Sequence, residues 1–296
     1  MATTMLKLRT NLADYPVTAA MRDGRVTSPI VELDFCGPKA ANNAFKAMLR
    51  GEGYDAGELA IITYLQAKAY GKPWTLLPIP ISGRFQQHCI AYDTDRAAIG
   101  PKDIEGKKVG VRTYAQTTGL WVRGVLQHEY GVDLNKVTWM TIEDAHVSEF
   151  HEPGNCQRLP AGSNLPQLLY DGELTAIMMG GDMPKDSRIA TLIPDAKAAA
   201  KQWYEREHVV PINHMFTVHD DVVRAHPEAV REIFRMLVES RAAAADALPD
   251  IFPPIGLEAN RKALELAIEW SFEQRLIPHR LTVDELFTDL TAGLGA

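Results

Sequence analysis

The chain has 296 residues, 23% charged and 46% apolar, the composition of an ordinary globular protein with more length than one typical core uses. Lys plus Arg number 31 against 38 Asp plus Glu, a net charge of −7 with the basic residues scattered, so no basic face for a nucleic-acid polymer is visible and a small-molecule partner is expected. Residues 1–9 lack the apolar centre of a secretory signal, the densest apolar window (76–81) is broken by Pro78 and Pro80, and Cys36, Cys89 and Cys156 form no C-x-x-C pair, which together predict a cytoplasmic protein with reduced thiols and no membrane partner.

In chain order, residues 6–12 read as a strand entering a loop with Asp14, Tyr15, Arg22, Asp23 and Gly24. Over 42–50, Phe45, Met48 and Leu49 share a helical face, and Gly51 supplies the stop. A strand is predicted over 54–59 and a helix over 61–70, ended by Gly71. Residues 74–81 are extended because Pro73, Pro78 and Pro80 forbid a helix, and 88–92 read as a buried strand. A second unit opens at Asp103 with a strand over 106–111, a polar loop over 112–118, a helix over 119–130 ended by Gly131, and a strand over 137–141. The loop over 143–162 is long for the interior of a domain and reads as functional. A helix over 165–170, stopped near Gly172, and a strand over 174–179 running into Gly180-Gly181-Asp182 complete a β-loop-α-β series, the pattern of a mostly parallel sheet.

The last third is helical. Pro227 opens a helix with Val230, Ile233, Phe234 and Leu237 at i, i+3, i+4, i+7; 257–275 is a second; and Thr282-Val-Asp-Glu285 is a capping box opening a third. These elements predict an α/β protein of two domains, 1–102 plus 209–296 and 103–208. The second is inserted through two crossover segments, and the ligand cleft lies between the two, lined by loops at strand C-termini.

Several strings resemble known proteins. Gly106-Lys-Lys-Val-Gly-Val111, a Thr/Gln-rich loop and helix, and Leu169-Tyr-Asp-Gly-Glu-Leu-Thr-Ala176 together resemble the type II periplasmic-binding-protein fold. Asp14-Tyr15, Arg22-Asp-Gly-Arg-Val26, residues 58–65, His88 and Trp121-Val-Arg-Gly-Val-Leu-Gln-His-Glu-Tyr-Gly-Val132 are similar to the 4,5-dihydroxyphthalate decarboxylase family, cytoplasmic relatives of solute-binding proteins. The likeness covers most of the chain and is strongest from Asp55 to Val132. Two positions depart from the family pattern. Gln87 stands where an arginine usually precedes the pocket histidine, and a normally Ser-rich helix start reads Leu59-Ala-Ile-Ile-Thr63. The departures open the substrate to other hydroxylated or amino-substituted aromatic acids.

The resemblance implies an aromatic-acid decarboxylase, a carbon–carbon lyase of aromatic or phthalate breakdown. Such an enzyme protonates the ring carbon bearing the carboxylate and releases CO2. It needs a proton donor over the ring, an acceptor near a ring hydroxyl and a cation for the spectator carboxylate. No organic cofactor is required, and a divalent metal and a homo-oligomeric state are left open.

Glu58, at the end of a strand beside an apolar helix start, is the candidate proton donor, though a capping glutamate has the same sequence appearance. His88 is the second catalytic candidate, equally readable as a hydrogen-bonded core histidine, and Glu58 and His88 are interchangeable as donor. His214, in Pro211-Ile-Asn-His-Met-Phe216, is the third, with a hinge position as its alternative; its neighbour Asn213 joins the substrate-binding set. Arg84 and Arg123 are candidates for gripping a carboxylate, Arg123 with a solvated helix face as its other reading. Tyr114, Thr117 and Thr118 lie at a helix start that caps and binds anions alike, and Gly181 and Asp182 close the set.

The cluster His146-x-x-Glu149-x-His151-Glu152 invites a metal but fits no zinc signature and reads better as a polar lid. Trp121, Trp139, Trp203 and Trp270 read as packing residues. The chain contains no G-x-S-x-G, P-loop or G-x-G-x-x-G. Two other functions share this fold: a solute-binding protein for a small aromatic anion of an ABC-type uptake system, and an enzyme of thiamine-pyrimidine biosynthesis. The missing signal opposes the first, and the second would want an iron or pyridoxal-phosphate motif.

Overall fold

A computed structural model describes residues 5–295. The chain opens with β1 (Leu6–Asn11), α1 (Pro16–Arg22), β2 (Val31–Phe35), α2 (Phe45–Leu49), β3 (Ala56–Ala60), α3 (Ile61–Ala69) and β4 (Trp74–Gly83). It continues with β5 (Ile90–Asp93), β6 (Lys108–Val111), α4 (Thr117–Tyr130), β7 (Thr138–Thr141), β8 (Cys156–Arg158), α5 (Leu165–Asp171), β9 (Ala176–Met178), β10 (Ile189–Thr191) and α6 (Ala196–Glu207). It ends with β11 (Ile212–His219), α7 (Asp220–Ala225), α8 (Pro227–Ala242), α9 (Leu257–Glu273) and α10 (Asp289–Ala292).

Two compact units result. One holds the chain up to Arg84, Ile212–Ile268 and everything from His279 on; the other holds Phe85–Pro211 and Glu269–Pro278. The first division therefore precedes β5, whereas the sequence put it after residue 102. The reason is hydrogen bonding: β5 pairs with β9 and β10 and so belongs to the second sheet. Residues 269–278, expected in the first domain, likewise belong to the second unit.

The first unit is built on a five-stranded sheet in the order β2-β1-β3-β11-β4. β1 runs parallel to β2 and β3, while β11 is antiparallel to β3 and β4. All five residues of β3 are buried, as a central strand covered on both faces requires. Pro78 and Pro80 are tolerated because β4 is an edge strand. The α8 face carrying Val230, Ile233, Phe234 and Leu237 joins Val17 and Met21 of α1, Leu8 of β1 and Leu77, Ile79 and Ile81 of β4 in one core.

Three local expectations are corrected here. The loop expected after β1 contains α1, whose Pro16 occupies the first turn and whose Val17, Ala20 and Met21 recur at i, i+3, i+4. The helix expected over 42–50 is a 3-10 turn, Ala41–Ala44, followed by the short α2. The Thr282–Glu285 capping box forms, with the Thr282 N–H donating to Glu285 Oε2 at 2.6 Å, but opens only the 3-10 turn Asp284–Leu286. A second box, Thr288 with Thr291, then starts α10.

The second unit holds a six-stranded sheet in the order β10-β5-β9-β6-β7-β8. β6, β7, β8 and β9 run parallel, and β5 and β10 join antiparallel, so the expected parallel series holds at its centre. Gly131 ends α4 with φ +64°. A Cβ on Gly124 would lie 1.9 Å from the Trp270 ring, so this glycine lets α4 pack closely on that indole. Trp121 meets Trp270 edge-on at 5.5 Å, and both are buried, as expected of packing tryptophans. The sequence reading missed α6, although Asp195 is a proper N-cap, accepting from the Ala198 N–H at 3.1 Å. Among the described residues no helix is long and apolar enough to cross a membrane, and no disulfide links the cysteines.

Candidate functional site

The first unit gathers three candidate groups at the junction of β1, β3 and β11. Gly57 makes the junction possible: a Cβ there would sit 2.4 Å from the Asn11 main-chain oxygen, so only glycine lets β3 come this close to the end of β1. The next residue, Glu58, is thereby set beside the chain segment leaving β1, and its Oε1 accepts the Ala13 N–H at 2.8 Å. Thr18 fixes that segment. Its hydroxyl donates to the Ala13 carbonyl at 2.8 Å and accepts the Tyr15 N–H at 2.9 Å. Tyr15 is thus held where its hydroxyl donates to Glu58 Oε2 at 3.2 Å.

β11 supplies the third group. Phe216 lies opposite Glu58 and His214 opposite Ala60, so His214 is the diagonal neighbour of Glu58 on the same sheet face. Its Nδ1 lies 2.5 Å from Glu58 Oε2. Register shifts against β4 flank His214, and Asn213 is the extra residue between the Ile212–Gly83 and His214–Ser82 pairs. Such a bulge re-aims the side chain that follows it. The Phe45 ring meets the imidazole edge-on at 5.5 Å.

This geometry separates the roles of the two ionisable groups. Glu58 is 0% exposed and accepts from three donors, which is the environment of a buried carboxylate held as an acceptor. Its oxygens are committed to partners inside the protein. The His214 side chain is 20% exposed, and its Nε2 has no partner among the described residues. A carboxylate at Nδ1 selects the Nδ1–H tautomer, which leaves the Nε2 lone pair without a partner among the described residues. Burial, with the charge of Glu58 second, pushes the Tyr15 phenol well above its ordinary value of 10, so Tyr15 stays a donor. His214, the third catalytic candidate with a hinge position as its alternative, is a member of β11, and Tyr15, Ala13 and Thr18 are the partners that sequence reasoning missed. Pro16 at a first turn with Thr18 close behind was the available signal.

In the second unit, the start of α4 collects polar atoms without partners. α4 begins at Thr117, and Gln116 is its N-cap without a side-chain cap bond, so Thr117 and Thr118 are first-turn residues rather than the expected caps. Thr113 Oγ1, Gln116 Oε1 and Thr117 Oγ1 are buried with no hydrogen-bond partner among the described residues. Together with the free N–H groups of a 14-residue helix, they form an element suited to an anion.

Arg123 and Tyr114, expected as ligand contacts, are interior residues. Arg123 is fully buried; its Nε donates to Gln274 Oε1 at 2.8 Å and its Nη2 to the Tyr114 carbonyl at 2.7 Å. Tyr114 is 3% exposed, donates its hydroxyl to the Gln274 carbonyl at 3.1 Å, and lies under the guanidinium, 4.0 Å from ring centre to Cζ.

The remaining candidates scatter. His88 is exposed in the 3-10 turn Gln87–Cys89, ahead of β5 rather than in it, and belongs to the second unit, whereas Glu58 belongs to the first. The direct partner of Glu58 is His214. Arg84 follows β4, half-buried, with its Nε lacking a partner. Gly181 and Asp182 are exposed after β9, and a Cβ on Gly181 would meet nothing within 4 Å, so that glycine is not required by close approach of the protein's own chain. Among the described residues no three His, Cys, Asp or Glu side chains gather to hold a metal, the His146–Glu152 segment included.

No protein-family model matches the chain. It is 29% identical over 261 residues to a 4,5-dihydroxyphthalate decarboxylase of Comamonas testosteroni, covering 83% of this chain and 78% of that one. It is 26% identical over 218 residues to a protein of the same name from Pseudomonas putida, covering 67% and 81%. The resemblance read from the sequence is thus found over most of the chain. Among solved structures, the alkanesulfonate-binding protein SsuA from Xanthomonas axonopodis pv. citri, bound to MOPS, matches with a TM-score of 0.59 at 14% identity, covering 95% of this chain and 98% of that one. The fold is of the type II periplasmic-binding-protein kind, as expected, and at this identity the likeness shows the fold alone.

Proposed function

We propose that the protein is a carboxy-lyase that removes CO2 from a hydroxylated aromatic dicarboxylic acid such as 4,5-dihydroxyphthalate. One observation carries the chemical part of the reading: Glu58, buried and held by Ala13 and Tyr15, lies 2.5 Å from His214 Nδ1, in a side chain that is 20% exposed and has no partner at Nε2 among the described residues. The similarity over 261 residues to a protein with that name supports the substrate class.

In this reading protonated His214 donates from Nε2 to the ring carbon bearing the carboxylate. The carbon–carboxylate bond then breaks, its electron pair restores the ring, and CO2 leaves. Neutral imidazole regains a proton from solvent, so carboxylate plus proton becomes arene plus CO2. A hydroxyl para to the reacting carbon raises its electron density and assists protonation. Glu58 does not touch the substrate; it fixes the imidazole and stabilises the imidazolium. The start of α4, with Thr117 and its N–H groups, is the element suited to a carboxylate.

The test is CO2 release from 4,5-dihydroxyphthalate and a panel of hydroxy- and aminobenzoates, with product mass and with and without chelator. 3,4-Dihydroxybenzoate is the expected product of the first substrate. Tight binding throughout the panel without CO2 would make the protein a binding protein and sink the decarboxylase reading.

A further inference from the structure

Arg123 is an unusual residue to bury. It is 0% exposed, its hydrogen-bond partners are neutral, and no carboxylate forms an ion pair with it among the described residues. Burial lowers its pKa from the ordinary arginine range, yet an arginine remains charged at physiological pH. A buried cation with no ion-pair partner costs stability, even with the Glu152 charge acting on it through space, and so asks for a compensating role.

The direction of the side chain indicates that role. Helical side chains lean toward the N-terminus, and Arg123 reaches back over Gly119, one turn earlier. A Cβ on Gly119 would lie 2.8 Å from Nη1 and 3.3 Å from Cζ, so the glycine makes room for the guanidinium at the first turn of α4. Nη1 has no partner. Gln274 locks the arrangement by accepting from Arg123 Nε and donating its own Nε2 to the Leu120 carbonyl at 2.9 Å. The Tyr114 carbonyl ties the same guanidinium to the loop that leads into the helix. Two more side chains over nine-tenths buried, Thr113 (2% exposed) in the loop before α4 and Thr117 (5%) in its first turn, carry hydroxyls with no partner among the described residues.

We propose that Arg123 is the buried charge behind an anion seat: a positioning residue that adds a full cation to the partial positive end of α4, so that an aromatic carboxylate is held there by main-chain N–H groups and Thr117. The proposal rests on the reading of α4 as the carboxylate-binding element. The Glu152 carboxylate acts on Arg123 only through space and forms no ion pair with it, so the bound anion is its direct counter-ion.

Isothermal titration of the full chain with phthalate, and with phthalamide as the neutral ring of the same shape, tests it. In Arg123→Met the phthalate Kd is expected to rise tenfold or more, while phthalamide stays within about twofold. Arg123→Lys restores much of the phthalate affinity because it restores the charge. Gly119→Ala, which favours the helix but displaces the guanidinium, weakens phthalate in the same selective way and covers the case in which Arg123→Met fails to fold. Equal weakening of both ligands, phthalate affinity within threefold of wild type in Arg123→Met or in Gly119→Ala, or no preference for phthalate in the wild type overturns the proposal. CO2 release is read separately: Arg123-dependent phthalate binding in a wild-type protein that releases no CO2 supports the Arg123 assignment and removes the decarboxylase reading.

Discussion

Glu58→Gln is the substitution that most directly tests the proton-transfer pair. It changes one oxygen to an amide nitrogen and leaves the volume alone. Oε1 holds the Ala13 N–H at 2.8 Å, so the glutamine keeps its carbonyl there and turns its NH2 to the position of Oε2. That position receives the Tyr15 hydroxyl at 3.2 Å and His214 Nδ1 at 2.5 Å. A donor there requires Nδ1 as acceptor, which moves the imidazole proton to Nε2 and opposes the doubly protonated ring. The loss is one charge-assisted hydrogen bond, about 1.5–3 kcal/mol, plus the cost of the wrong tautomer. Together these amount to a fall in kcat of about 10³-fold. Substrate affinity, read as phthalate Kd, stays within about tenfold, since Glu58 has no exposed surface to offer a ligand. The assay is initial-rate CO2 release between pH 5 and 9, with thermal unfolding as a control on folding. A well-folded Glu58→Gln enzyme with more than a tenth of the wild-type kcat would refute the reasoning.

Tyr15→Phe removes one of three donors to Glu58, and kcat is expected to fall about 3- to 30-fold with stability lower by about 0.5–2 kcal/mol. The shape of its pH–rate profile stays that of wild type below pH 10, because the native phenol is held protonated by burial and by Glu58; a limb that disappears in the variant would contradict this. Gly124→Ala drives a methyl into the Trp270 ring, 1.9 Å from the nearest atom, and should destabilise by about 1–3 kcal/mol or more in urea unfolding, so an unchanged midpoint would show that this packing is loose. Glu105 is held down to a pKa of about 2, first by the Asp133 N–H and then by Lys102. A lowered carboxyl contributes stability that is full above its unfolded value near 4.5 and is lost as pH falls toward 2. The stability difference between wild type and Glu105→Gln should therefore be largest above pH 4.5 and shrink on acidification, and a difference that grows on acidification would reverse the sign.

What the sequence made legible follows from where its signals are local. Gly71, Gly131 and Gly172 mark helix ends because each adopts a positive φ that few other residues take easily, and α3, α4 and α5 end there. The apolar periodicity of α8 and the prolines of β4 reported equally local constraints. The unit boundary did not, since β5 is assigned by its partners β9 and β10, far along the chain. The same limit applies to the candidate site. Glu58 was visible beside an apolar helix start, but its pairing with His214 spans 156 residues and rests on the β3–β11 register. His88 stood closer in sequence and drew the assignment. Arg123 was recognised as a cation in a useful position, while its burial followed from Gln274 and Tyr114, one of them 151 residues away.

The two candidate elements solve a common electrostatic problem with opposite signs. A neutral imidazole is a weak proton donor, and a helix end carries only about half a unit of charge. In the first unit a buried carboxylate stands 2.5 Å behind His214 Nδ1 and fixes the imidazole. In the second, a buried guanidinium stands behind the first turn of α4 and favours an anion there. In each case the charged group is 0% exposed and locked by neutral partners, Ala13 and Tyr15 for Glu58, Gln274 and the Tyr114 carbonyl for Arg123. Water therefore cannot screen either charge, and neither can swing away to another partner. A surface carboxylate or arginine in the same role would be screened by solvent and salt within about 10 Å. The cost of burying each charge is met only when its proton or its anion is in place, so substitutions at either charge should weaken function more than they weaken the fold.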